Sequence, residues 1–156
     1  MRGTACLLLL ACGVVYAQAD DPVQLREQAA ALVAQGKFGE AEPLLVRALE
    51  SLEQESGPEA LGLTGAIGLL AALYRAEGRN AEAQKLYERS LAIRRKNANS
   101  ASPDFNPDLI PDLKSLAGLY AAQGKTSEAE LSYLRVIAIR EQFFGADDLE
   151  MAKDCT

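Results

Sequence analysis

The amino-acid sequence predicts an all-α fold, a solenoid of three stacked helical hairpins, and three observations lead there. Gly36, Gly78 and Gly124 sit in stretches that match when aligned: ALVAQGKFGEAEPLLVRAL, ALYRAEGRNAEAQKLYERSL and GLYAAQGKTSEAELSYLRVI. A column of small residues flanks each glycine, with Ala29, Ala71 and Ala117 seven residues before it and Ala41, Ala83 and Ala129 five after. Larger apolar columns keep the same register: Leu25, Ile67 and Leu113 eleven before, Leu32, Tyr74 and Tyr120 four before, Leu45, Tyr87 and Tyr133 nine after. Self-similarity at a long fixed period is the mark of stacked supersecondary units, each too small to bury its apolar face alone.

Each unit divides into two helices, expected over 22–35 and 38–55, 60–77 and 80–96, 108–123 and 126–144. In the first helix apolar residues recur every three or four positions up to the glycine, which takes the left-handed conformation that ends a helix at little cost. Lys37, Arg79 or Lys125 follows, a base just past a helix end. Glu40, Glu82 or Glu128 then opens the second helix, an acid where the helix dipole favours one. The alanine columns let the two backbones of a hairpin approach closely. Tyr74 and Tyr87, like Tyr120 and Tyr133, are expected to fill the space between neighbouring hairpins.

These residues carry a resemblance to the tetratricopeptide repeat, and Ala41 to Glu50 (AEPLLVRALE) with Ser90 to Arg95 (SLAIRR) resemble the long-period variety of kinesin light chains. Gly36 to Gly78 is 42 residues and Gly78 to Gly124 is 46, against 34 for the ordinary repeat. The resemblance implies a right-handed solenoid and covers residues 22–144, in repeats 22–55, 60–96 and 108–144. Residues 147–154 follow as a short helical stub resembling the start of a fourth repeat. Departures are Gln28 where the other repeats have Leu70 and Leu116, and Val136 in place of the smaller Ala48 and Ser90. The asparagines that kinesin light chain repeats carry early in the first helix are absent, since Arg26-Glu27, Gly68-Leu69 and Lys114-Ser115 stand there. Ligand preference therefore does not carry over.

The resemblance also implies a function: binding of a protein or peptide along the concave face lined by the first helices, as an adaptor or assembly scaffold. The positions turned away from the partner helix are Arg26, Ala30 and Val33 in repeat one, Gly68, Ala72 and Arg75 in repeat two, and Lys114, Gly118 and Ala121 in repeat three. Small side chains leave room for a ligand backbone, and three cations on an acidic chain would attract carboxylates. The expected ligand is an extended or helical peptide with acidic side chains or a free carboxylate, bound weakly and with salt sensitivity. At the other edge, the last helix keeps Leu131, Leu134 and Ile137 covered only by the stub, so weak end-to-end dimerisation is expected, with Cys155 able to lock it. The rival reading is a structural repeat protein that stacks end to end, or a piece of a longer array.

Composition excludes much else. Among 156 residues, 49% are hydrophobic and none is His or Trp, which removes imidazole triads, His-ligated metals and the usual general base near neutral pH. With 22 acids against 16 bases the net charge of −6 disfavours a nucleic-acid partner. The glycines at 62, 65 and 68 lack the strand and acidic partner of a nucleotide site, so close helix packing is their expected role, and neither cofactor nor enzymatic activity is expected. The run from Pro103 to Asp112 (PDFNPDLIPD) has carboxylates but not the alternating oxygens and glycine of a calcium loop. Turn and helix-start chemistry accounts for it, with proline presetting the backbone and Asp capping it.

The first nineteen residues read as an export signal: Arg2, an apolar run from Ala5 to Val15, and the small-x-small site Ala17-Gln18-Ala19 before Asp20-Asp21. The run is too short to span a bilayer. Leu9-Leu10-Ala11-Cys12 loosely resembles a lipoprotein acylation box, but Val14, Val15 and Tyr16 continue the apolar run past Cys12. Cleavage leaves residues 20–156, with a net charge of −7 and Cys155 as the one cysteine, so no internal disulfide forms and stability rests on packing. The expected location is the bacterial periplasm or the medium. N-terminal sequencing of the protein recovered from there should begin at or near Asp20, and recovery of an intact Met1 chain from the cytosol would overturn the export reading.

Overall fold

The three hairpins turn on one backbone device. Lys37 N–H donates to the Leu32 carbonyl at 2.9 Å and Gly36 N–H to Val33 at 3.0 Å. The pair recurs as Arg79 to Tyr74 and Gly78 to Arg75, and as Lys125 to Tyr120 and Gly124 to Ala121. These six-to-one and five-to-two bonds satisfy the last carbonyls of the first helix, and they require the glycine's positive φ, +77° at Gly78. The computed structural model describes residues 21–99 and 103–145, so the export signal, all three cysteines and the stub at 147–154 lie outside the described residues.

Six helices result: α1 Pro22–Ala34, α2 Phe38–Ser56, α3 Leu63–Ala76, α4 Asn80–Lys96, α5 Ile110–Ala122 and α6 Thr126–Phe144. Each packs on the next in chain order, the arrangement of a one-dimensional stack, and no strand occurs among the described residues. The expected bounds hold within one to three residues. Helix α3 begins at Leu63 rather than 60 because Gly57 to Leu63 is taken up by turns, with Ala60 N–H on the Gly57 carbonyl and Leu63 N–H on Ala60. Helix α5 begins at Ile110 rather than 108 because Pro107–Leu109 forms a 3-10 turn, as Pro103–Phe105 does before it. In this linker the capping oxygen comes from Asn106, whose side chain accepts from Asp108 N–H at 2.9 Å, and not from an aspartate as the sequence suggested.

Packing follows the columns. Ala29, Ala41, Ala71, Ala83 and Ala117 are fully buried and Ala129 nearly so, which puts a small residue on both sides of every hairpin contact. Leu45, Ile67, Leu73, Leu113, Leu119 and Ile139 are sealed around them. Tyr74 packs against the core clusters on both sides of its repeat, as the tyrosine column was expected to do. Val136 is fully buried within the core, so the larger side chain in the Ala48 and Ser90 column is accommodated. Gln28, where leucine stands in the other repeats, is exposed. The close-packing role expected for the glycines at 62, 65 and 68 is not what is found. A Cβ at Gly62 or Gly68 would meet open space, and one at Gly65 would meet the Arg26 guanidinium, Nη1 at 2.9 Å, rather than a helix backbone.

The boundary between repeats two and three is partly polar. Asp112, twelve residues before Gly124, is buried and its Oδ2 accepts from Ser90 Oγ at 2.6 Å and from Arg94 Nε at 3.1 Å. The same columns at the preceding boundary hold Ala48 and Ala66, both buried. Burial pushes the Asp112 carboxyl above the ordinary carboxylate range, opposed by the Ser90 hydroxyl and the Arg94 charge. A raised folded-state value means the native chain holds this proton more tightly than the unfolded one. The contribution is therefore fullest below the ordinary carboxylate value and is lost as pH rises through the raised one. Melting curves should show the parent losing stability relative to Asp112→Asn as pH rises from the ordinary carboxylate value through the raised one. A constant difference over that interval would contradict the assignment.

Candidate functional site

The nine positions expected on the concave face fall at i, i+4 and i+7 in α1, α3 and α5, hence on one side of each helix. None is buried: Arg75, Lys114 and Ala121 are exposed, and Arg26, Ala30, Val33, Gly68, Ala72 and Gly118 are half-buried. Open space around the missing side chains of Gly68 and Gly118 leaves the helix backbone accessible there. Arg26 crosses from repeat one to repeat two, laying its guanidinium over Gly65 of α3. The three cations do not make one cluster. Arg26 and Lys114 occupy equivalent positions in the second turn of their helices, whereas Arg75 lies seven positions further along, about 10 Å down the helix axis.

Glu77, the sequence neighbour best placed to neutralise Arg75, turns instead to Arg79. Arg79 Nη1 donates to Glu77 Oε2 at 3.1 Å and to Glu42 Oε1 at 3.0 Å, while Nη2 and Nε hold Glu82 at 2.7 and 2.9 Å. Its guanidinium lies 3.8 Å from the centre of the Tyr74 ring, and the Tyr74 hydroxyl donates to the same Glu42 oxygen at 2.9 Å. The hydrogen bonds to Glu82, ahead of those to Glu42 and Glu77, keep Arg79 firmly protonated, and Arg79 in turn holds the Glu82 carboxyl below its usual range. Lys125 repeats the arrangement loosely, 5.7 Å from the Tyr120 ring centre, with the Tyr120 hydroxyl 3.4 Å from Glu88 Oε1. Sequence reading placed Arg79 at the helix end for its charge alone. The contact it makes with Glu42 crosses a repeat boundary and has no signature along the chain.

A second feature was not anticipated from sequence. Between α4 and α6 lies a hollow of about 480 Å³ lined by Arg95, Asp104, Phe105, Leu134, Arg135 and Ala138. A neighbouring hollow of about 270 Å³ shares both arginines and is floored by Leu113 and Leu116 of α5. Leu131 and Leu134, expected at the C-terminal edge of the stack, line these hollows, and both are more than half exposed. Among the described residues no group of three or more His, Cys, Asp or Glu is placed to hold a metal ion, and no helix is long and apolar enough to cross a membrane. Two of the three PDFNPDLIPD aspartates are committed elsewhere: Asp104 to Arg95 and Arg135, Asp112 to Ser90 and Arg94.

Helical hairpins stacked in register, each turning on a glycine and closing on two alanines, define a helical repeat protein whose surfaces serve binding. Profiles of the tetratricopeptide repeat match residues 23–96 and 113–150, and the chain belongs to that family. Among solved structures it is similar to BtubC (BKLC) from P. vanneervenii, with 26% identity and a TM-score of 0.72 over 80% of this chain and 48% of that one. It is similar also to a kinesin light chain-type protein of P. anserina with nearly identical TPR-like repeats, at 22% identity and a TM-score of 0.71 over 88% of this chain and 64% of that one. The TPR domain of Arabidopsis FLU aligns at 18% identity and a TM-score of 0.67, over 78% of this chain and 96% of the domain. The last two likenesses speak to the fold. The chain thus spans about half the length of the first of these structures and under two thirds of the second. No curated protein sequence matches it significantly. The repeats resemble those of kinesin light chains, as the long period implied, and repeats of this family act in protein–protein interaction.

Proposed function

We propose that the chain is a peptide-binding module acting outside the cytoplasm, an adaptor or assembly scaffold that receives an acidic, extended or helical segment along the first-helix face. The observation that carries this reading is the character of that face. None of the nine positions in three equivalent trios is buried, six of them are Gly, Ala or Val, and the remaining three are cations. Arg75 is exposed beside Glu77, whose carboxylate Arg79 holds. A ligand carboxylate therefore meets little competition at Arg75 from that neighbour. Export would deliver the module to the periplasm or beyond, where a chain with no internal disulfide relies on its packed repeats.

Affinity should be modest and salt-sensitive, because exposed charges contribute little each and are screened. The double variant Arg75→Glu, Lys114→Glu tests it. A partner co-purified from the envelope fraction should bind the double variant at least tenfold more weakly than the parent, about 1.4 kcal/mol, and equal binding would refute the groove.

The second reading, end-to-end stacking, draws on Leu131, Leu134 and Phe143, which expose large apolar surface on α6. Sedimentation of the full chain with and without reductant separates the two. A concentration-dependent dimer supports stacking, and a monomer under both conditions at high concentration eliminates it.

A further inference from the structure

Repeat register makes each position of the third hairpin comparable with its counterpart in the second. Across the seam between α2 and α4, Arg89, eleven residues after Gly78, donates to Glu53 at 2.6 Å, and Glu53 lies seventeen after Gly36. Leu86, eight after Gly78, packs against all three core clusters, two of which include residues of α2. The same columns at the seam between α4 and α6 hold Arg135, Arg95 and Ser132. A cation faces a cation where an ion pair stood. In place of leucine stands a hydroxymethyl group that bonds back to its own helix, Ser132 Oγ to the Glu128 carbonyl at 2.8 Å. Both arginines line the two hollows between α4 and α6, and Ser132 lines the smaller one.

The linker from repeat two to repeat three, four residues longer in period than the one before, supplies what charge balance there is. Asp104 Oδ1 accepts from Arg135 Nη2 at 3.3 Å and lies 2.9 Å from Arg95 Nε as an ion pair without hydrogen-bond alignment, while its carboxylate stays 66% exposed. Burial first, and the Arg95 charge after it, hold the Arg135 guanidinium below its usual range. One loosely held carboxylate thus serves two half-buried guanidiniums and leaves one positive charge in excess, on a chain of net charge −6. Apolar side chains rim the seat: Phe105 is 39% exposed, Leu134 53% and Leu131 62%. Glu88 and Glu128 stand seven residues before Arg95 and Arg135 on the same two helices, about 10 Å away along each axis. The seam therefore runs from a pair of bases, past exposed leucines, to a pair of acids.

We propose that the seam between α4 and α6 is a second peptide-binding site, selective for a short apolar segment with a carboxylate at one end and a basic side chain at the other. Asp104 is the built-in occupant of its carboxylate seat. A separation of about 10 Å corresponds to about three residues of extended chain, so the recognised pattern is acid, two apolar residues, base. The site is distinct from the first-helix face, since its walls are the second helices of repeats two and three and the linker between them.

The test uses the full-length chain and a fluorescein-labelled Gly-Glu-Leu-Leu-Lys-Gly peptide followed by anisotropy. Asp104→Asn should tighten binding at least threefold by vacating the seat. The pair Arg95→Gln, Arg135→Gln should weaken it about tenfold, as should replacing the peptide's Glu by Gln. Ser132→Leu should abolish binding by filling the seam without changing any charge. The proposal is overturned if Asp104→Asn binds no better than the parent, or if the Gln peptide binds as well as the Glu peptide. Binding lost in the Arg75, Lys114 variant and kept in the Arg95, Arg135 one would assign the peptide to the first-helix face, also against the proposal. Should the arginine variants lose helicity, the exposed Asp104→Asn and the two peptides still decide it.

Discussion

Everything in this fold depends on how closely the two helices of a hairpin can approach. With alanine on both sides of each contact, Ala29 with Ala41, Ala71 with Ala83, Ala117 with Ala129, the backbones meet with nothing larger between them. The hairpin glycines then fix the reversal, tying the end of each first helix to the start of the second through two backbone hydrogen bonds. A single hairpin still leaves one apolar side open. It gains stability by burying that side against the next hairpin, which is why the helices pack in chain order and the stack propagates.

Differences between otherwise equivalent boundaries are where individuality enters. The first boundary places Ala48 and Ala66 where the second places Ser90 and Asp112, and a dry contact becomes a hydrogen-bonded one that also engages Arg94. One layer out, the Arg89–Glu53 pair gives way to Arg95 facing Arg135, with Asp104 brought in from the linker to sit between them. Burying like charges together is unfavourable unless a counter-charge is supplied. The four extra residues of period between the second and third glycines are thus coupled to a change of charge on α4. On the first-helix side, Arg79 gathers Glu42, Glu77 and Glu82 around one guanidinium stacked on Tyr74, and so decides which of the neighbouring cations keep a nearby acid.

The architecture was legible because it is written periodically. Glycine, alanine and tyrosine columns recur at fixed offsets, and each offset maps onto one face of a helix, so the six helices and their buried residues could be named with small errors at the ends. The errors have local causes: a run of turns after Gly57 and a 3-10 turn before Ile110 each delay a helix by two or three residues. The candidate site was legible only as a set of positions. Spacing says that Arg26, Ala30 and Val33 share a face, but not that Arg26 leans across onto Gly65, nor that Glu77 prefers Arg79 to Arg75. Leu131 and Leu134 were read as an end face, and they also line the hollows of the α4–α6 seam beside Arg95 and Arg135, a placement that period alone does not give because a helix in a stack has two open sides.

By itself, then, the sequence determined the helical class, the number of hairpins, the alanine contacts and the glycine turns, since each of these is an interaction within about forty residues that repeats. Only the tertiary structure decided the polar contacts between repeats: Ser90 with Asp112, Arg79 with Glu42, Asp104 between Arg95 and Arg135. Such contacts form where two columns from different repeats meet in space. The identity of the residue at the crossing, a leucine or a serine, a glutamate or an arginine, leaves the periodic pattern intact while it changes what the surface can bind.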